Sequence, residues 1–175
     1  MRGVCDGTTM VSVARVATSR QLADALALRR AVLADADCPA IPDRFDLDPA
    51  TLHCVVLGPD GACIGAGRLT APVGSEAGGD ALGGSPTVGP IVVAESARGA
   101  GVATAILAFL EAEALALYGR NGTVRIDATI PASVPGHAGV LGYTVVAPGA
   151  RRAALVRATG VPSQGDFARR APVQR

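Results

Sequence analysis

The chain has no tryptophan, three phenylalanines and two tyrosines among its 175 residues, which argues against the aromatic platforms that stack the bases of single-stranded nucleic acids. Net charge is almost absent too, since 16 basic against 15 acidic side chains leave a formal +1. So weak a field draws in neither a phosphate backbone nor an anionic bilayer. Neither nucleic acid nor membrane is expected as a partner, and recognition falls to local charge. No stretch approaches the roughly 18 uninterrupted apolar residues of a membrane span, and residues 1–9 lack the apolar segment of an export signal. The four cysteines, Cys5, Cys38, Cys54 and Cys63, form no C-x-x-C pair, and His53 and His137 stand far apart. Zinc and redox spacings are therefore missing. No metal is expected, and the chain reads as a cytoplasmic protein with reduced thiols.

What is abundant is small and branched apolar side chains. Hydrophobic residues make up 49% of the chain, so Val, Leu, Ile and Ala must fill the interior. A chain of this length supports one such core more readily than two. A single α/β domain over residues 11–158 is expected, with disordered ends at 1–10 and 159–175, the second of them polar, basic and proline-containing.

Residues 11–16 alternate as a half-buried strand. Thr18-Ser19-Arg20-Gln21 is a T-x-x-Q capping box, and Leu22, Leu26 and Leu33 follow at helical spacing. A helix over 19–33 is predicted, with Arg29 and Arg30 solvated. Residues 35–49 are rich in Asp and Pro and read as a loop. Residues 53–57 and 62–69, joined by Gly58-Pro59-Asp60-Gly61, form a hairpin. Residues 71–86, loaded with Gly, Ser and Pro, form a long loop, either a mobile lid or an insertion. Residues 88–93 read as one buried strand, and 101–118 as a helix with Val102, Ile106, Phe109, Leu110 and Leu117 on one stripe. A strand at 124–128 follows, then a loop or short helix at 131–139, and a closing hairpin from 141–146 and 153–156.

The informative unit is strand, basic glycine turn, helix. In Arg98-Gly99-Ala100-Gly101-Val102-Ala103 the glycines let a phosphate oxygen approach the main chain. The amides opening the helix cradle an anion, and Arg98 adds fixed positive charge. A P-loop is excluded because no G-x-x-x-x-G-K-[ST] occurs, and the dinucleotide fingerprint fits poorly because its third glycine falls on Thr104.

The string resembles motif A of the GCN5-related N-acetyltransferase (GNAT) superfamily, Q/R-x-x-G-x-G/A, and the element order over residues 11–156 resembles the order expected there. His53 opening the second strand, Gly65-Ala66-Gly67-Arg68-Leu69 in the third and Leu141-Gly142-Tyr143 near the end resemble signatures of a bacterial branch of the ElaA type. The resemblance implies a mixed central sheet flanked by helices. It also implies an acyl-coenzyme A donor, acetyl-coenzyme A by default, with its pantetheine arm along Ile91, Val92 and Val93. The diphosphate would then sit on Arg98, Gly99, Ala100, Gly101, Val102 and Ala103, and the acyl group would pass directly to a small-molecule amine. One departure stands out: the tyrosine that serves many members as proton donor is replaced by Ala138. His137 is the first substitute and Ser133 a weaker one. For a base, His53, Asp46, Asp48, Glu95 and Asp127 are all candidates, and His53 at a strand entrance reads more readily as a hydrogen-bonded structural residue. Asp46 and Asp48 can bind a cationic substrate or remain solvated turn residues. Arg68 can meet an acid group on the acceptor or pair with a carboxylate. Two other functions stay open, a non-catalytic coenzyme A-binding or sensing domain and an enzyme diverted to another reaction on a coenzyme A or carrier thioester. A homodimer is open as well.

Overall fold

The computed structural model describes residues 11–33, 42–72, 84–119, 122–131, 144–145 and 152–160. In chain order the elements are β1 (Val13–Arg15), α1 (Ser19–Leu33), β2 (Leu52–Leu57), β3 (Cys63–Thr70), β4 (Thr87–Val88) and β5 (Val92–Val93). A 3-10 turn (Glu95–Ala97), α2 (Val102–Tyr118), β6 (Thr123–Pro131), β7 (Thr144–Val145) and β8 (Arg152–Gly160) follow. The strands lie in the order β1-β2-β3-β4-β6-β8-β7, with β5 paired to β3 off that path. The pair β4 and β6 runs parallel, and the other pairs are antiparallel. This is the mixed sheet that the resemblance implies. The closing hairpin is present, although β8 runs on through Gly160, two residues into the segment assigned by composition to the tail.

Alternation along the strands puts the two helices on opposite faces, because successive residues point to opposite sides of a sheet. Cys54 and Val56 of β2 and Leu69 of β3 pack with Val102, Ile106, Leu107, Leu110 and Ala114 of α2. Val55 and Ala66 pack with Ala25 of α1. The expected α2 stripe is confirmed at Val102, Ile106 and Leu110, while Leu117 in the last turn is exposed and Leu107 and Ala114 are buried instead. At Gly65 an added Cβ would lie 2.6 Å from Val102 Cγ1, and at Gly67 2.7 Å from Ile106 Cγ2. The glycines of β3 are thus the surface on which α2 rests, and they tie the start of α2 to the middle of the sheet.

The capping box of α1 forms, with one change. Gln21 N–H donates to Thr18 Oγ1 at 3.2 Å, but the Gln21 side chain reaches back to the N–H of Ala17 rather than Thr18. The helix boundaries agree with those read from the sequence. Arg29 does not. It is 3% exposed, because it lies one turn from Leu26 and Leu33 on the stripe that faces the sheet, and a buried carboxylate answers it.

Candidate functional site

Residues 88–93 read as one strand from their apolar character, yet the structure divides them. Leu69 pairs with Val88 in β4, whereas Ala66 pairs with Val92 in β5. Three residues, 89–91, therefore lie opposite two, Gly67 and Arg68. This is a β-bulge, which bends a strand and ends regular pairing. Before the bulge β4 pairs with β6 at Thr87–Asp127 and Val88–Ala128. After it β5 pairs, among the described residues, with β3 alone, while β6 continues along β8 to Pro131. No described strand pairs with the other edge of β5, so β5 and the end of β6 part and leave a gap between them.

The register decides which main-chain groups face this gap. Ala94 N–H donates to Ile64 O at 2.9 Å, so the neighbouring pair Val93–Gly65 is of the non-hydrogen-bonded kind. The N–H and C=O of Val93 consequently point away from β3 and into the opening. Ile91, Val92 and Val93, the residues expected beside a pantetheine arm, form the wall of the gap.

The glycine turn follows directly. After the 3-10 turn Arg98 is extended and exposed, and its N–H donates to Glu95 O at 3.2 Å. Gly99 (φ +80°) and Gly101 (φ +77°) are both left-handed, a conformation that costs any other residue free energy. Around each, beyond the adjoining residues, no heavy atom of the described residues lies within 4 Å of the position a Cβ would take. Gly101 caps α2, and the helix's first internal bond runs from Ala105 N–H to Gly101 O at 2.9 Å. The amides of Val102, Ala103 and Thr104 are therefore those a helix leaves without an internal partner. Left-handed glycines, unpaired amides at the positive end of a 17-residue helix and open space in front suit a diphosphate.

On the α1 face two of the predicted residues, Asp46 and Arg68, join Asp43 and Arg29 in one buried ion network. Arg68 NH1 and NH2 donate to the two oxygens of Asp43 at 2.7 Å each, and NH1 also to Asp46 Oδ1 at 2.6 Å. Arg29 bonds the same Asp46 oxygen, and Arg68 Nε donates to Gly89 O at 3.1 Å. The Arg68 guanidinium lies 5.6 Å from the Phe45 ring centroid. Burial works against the Asp43 carboxylate, but the bonds and charge of Arg68, with backbone N–H groups, outweigh it and lower its pKa. Arg68 is raised in turn by both carboxylates despite its burial. Asp46, with a side chain sealed from solvent, is engaged by two arginines, and Arg68 takes the pairing alternative. Asp48 is exposed and bonds the N–H of Ala50 at 2.8 Å, a turn-forming contact.

His53 lies across from Arg68 in the β2–β3 ladder. Its pKa is lowered, first by burial and also by Arg68 and Arg29, with Asp46 partly opposing. It is thus held neutral near physiological pH, and its Nε2 is buried with no partner among the described residues. Glu95 is exposed beside the turn, and Asp127 is on the face of β6 opposite the buried Ile126 and Ala128. His137, Ser133, Ala138 and the Leu141-Gly142-Tyr143 string lie outside the described residues. Asp43 and Arg29 were not marked as site residues by the sequence. The available signal was an arginine on the buried stripe of α1, a position that demands a buried counter-charge.

No protein-family model matches the chain, and no curated protein matches it in sequence. Solved structures do match in fold. Escherichia coli ElaA superposes with a TM-score of 0.66 at 17% identity, covering 85% of this chain and 99% of that one. An acyl-CoA N-acyltransferase from Pseudomonas aeruginosa gives 0.68 at 22% identity, covering 85% and 99%. An aminoglycoside 6'-N-acetyltransferase complexed with coenzyme A gives 0.58 at 12% identity, covering 87% and 98%. With the strand divided at the bulge into β4 and β5 and the glycine turn in place, the chain has the single-domain fold of the GNAT acyl-CoA N-acyltransferases.

Proposed function

We propose that the protein is an acyl-coenzyme A-dependent N-acyltransferase, with acetyl-coenzyme A the default donor and a small-molecule amine the acceptor. The observation that carries this reading is the adjacency of two main-chain features, the gap walled by Ile91–Val93 and the left-handed glycine turn at 98–103. Strand edge groups in the first suit the amides of a pantetheine arm, and helix-terminal amides with Arg98 in the second suit a diphosphate. The complex of a similarly folded acetyltransferase with coenzyme A supports the same donor.

The donor supplies a thioester at the gap. Val93 N–H, aimed into the opening, can donate to its carbonyl oxygen as negative charge develops there. In direct transfer the amine nitrogen forms the new C–N bond, the C–S bond breaks, and the leaving thiolate takes a proton. With Ala138 where the resemblance places a tyrosine, His137 is the proposed proton donor. His53, neutral and buried against the ion network, is available to orient or deprotonate the amine.

The test is release of free thiol from acetyl-coenzyme A against a panel of amines. Amine-dependent release supports the reading. Coenzyme A binding without turnover would instead make the chain a sensing domain, and thiol release without an acylated amine would point to another thioester reaction.

A further inference from the structure

The bulge that opens the sheet is gripped from one residue. Gly89 N–H donates to the main-chain oxygen of Arg68 at 3.0 Å, and Gly89 O accepts from the Arg68 side-chain Nε at 3.1 Å. In an unbroken antiparallel ladder, main-chain groups alone join the paired residues. Here a side chain takes the Gly89 carbonyl. The next residue, Pro90, has no N–H to return to the ladder, and β5 resumes on β3 displaced by one residue. That displacement sets Val93 N–H toward the gap.

We propose that Arg68 is a positioning residue for the acyl donor: by holding the Gly89 carbonyl it fixes the bulge and thereby aims the β5 edge. The rest of the guanidinium explains how it can act as a fixed strut. Both oxygens of Asp43 and one of Asp46 hold its terminal nitrogens, and Arg29 neutralises the remaining charge from α1. A fork of five donors can face the carboxylates and Gly89 at once, which the compact ammonium of lysine cannot. The role of Asp43 and Asp46 is then to orient Arg68, and the acidic loop serves the donor side of the site rather than a cationic acceptor. The consequence for donor binding rests on the acyltransferase reading, whereas the hold of Arg68 on Gly89 does not.

Arg68→Lys keeps a positive charge beside both carboxylates and removes the bond to Gly89. Arg29→Lys disturbs the same network from the side away from Gly89. Three quantities are read on the full chain: melting temperature, hydrogen exchange of the Val92 and Ala94 amides that tie β5 to β3, and coenzyme A affinity by calorimetry. Arg68→Lys is expected to speed exchange at Val92 and Ala94 and weaken coenzyme A about tenfold, the scale of one hydrogen bond to a charged group. Arg29→Lys is expected to lower the melting temperature while moving the other two readouts much less than Arg68→Lys does. Should Arg68→Lys fail to fold, Asp43→Asn loosens the strut while retaining Arg68, and it should move exchange and affinity in the same direction by less. Wild-type exchange at Val92 and Ala94 in the folded variant, or an equal rise in Arg29→Lys, overturns the proposal. If the wild-type protein takes up no coenzyme A, the donor reading fails, and the exchange comparison still decides whether Arg68 holds the bulge.

Discussion

Gly61, Gly99 and Gly101 form a matched set, with φ of +79°, +80° and +77° and, beyond the adjoining residues, no heavy atom of the described residues within 4 Å of an added Cβ. Gly61 lies in the β2–β3 turn, and the other two precede α2. Alanine at each incurs the left-handed backbone penalty of about 1–2 kcal/mol, offset in part by about 0.4–1 kcal/mol because the unfolded chain also loses freedom. The net is about 1 kcal/mol in all three, or roughly 2–4 °C of melting temperature for a chain of this length. Only the use of the empty space differs. A methyl group on Gly99 or Gly101 intrudes where phosphate oxygens must reach main-chain amides. Loss of one hydrogen bond to a charged group is worth about 1.5–3 kcal/mol, or roughly ten- to hundredfold in affinity. Thermal unfolding and calorimetric titration with coenzyme A on the three alanine variants separate the effects. Similar melting temperatures are expected throughout, with weakened binding in Gly99→Ala and Gly101→Ala and wild-type binding in Gly61→Ala. Equal coenzyme A affinity in Gly61→Ala and Gly101→Ala would refute the cradle.

Other consequences follow from packing and charge. Gly67→Ala places a methyl group 2.7 Å from Ile106 Cγ2 and 3.1 Å from Leu110 Cδ1. It should cost about 1–3 kcal/mol in denaturant unfolding, and a neutral result contradicts the close seat of α2 on β3. Arg98→Glu, at an exposed position, should leave stability within about 0.5 kcal/mol while weakening coenzyme A, most strongly at low salt. Unchanged affinity would count against the diphosphate placement. The lowered pKa of His53 means that the unfolded chain takes up its proton first as the pH drops. Its stabilising contribution is complete above about pH 6.5 and declines below that value until the folded pKa is passed. Asp43, also lowered on balance, adds stability that is present above about pH 4 and is lost through its folded pKa. His53→Gln should abolish the decline in melting temperature that begins below about pH 6.5 and spare the acid one; an unaltered profile contradicts a neutral, buried His53.

What could be read from the sequence was local. The capping box and leucine spacing defined α1, and the glycines around Ala100 marked the turn because both signals lie within a few consecutive residues. The bulge was not legible. Residues 88–93 are uniformly apolar up to Val93 apart from Gly89 and Pro90, and their division is imposed by pairing with β3 and by the Arg68 side chain, both distant in the chain. The ion network escaped for the same reason, since Asp43, Asp46, Arg29 and Arg68 come from three separate segments. Composition favours solvated charges at such positions, and only the folded packing brings them together.

The central claim, that main-chain groups of residues 91–93 and 98–104 receive the donor, is tested most directly by following backbone amide resonances while coenzyme A is added. Ile91, Val93 and the amides from Gly99 to Thr104 are expected to shift together and saturate at one affinity. Shifts confined to other surfaces, such as the cavity of about 490 Å³ between α1 and Cys63, or no saturable shifts at all, would contradict it.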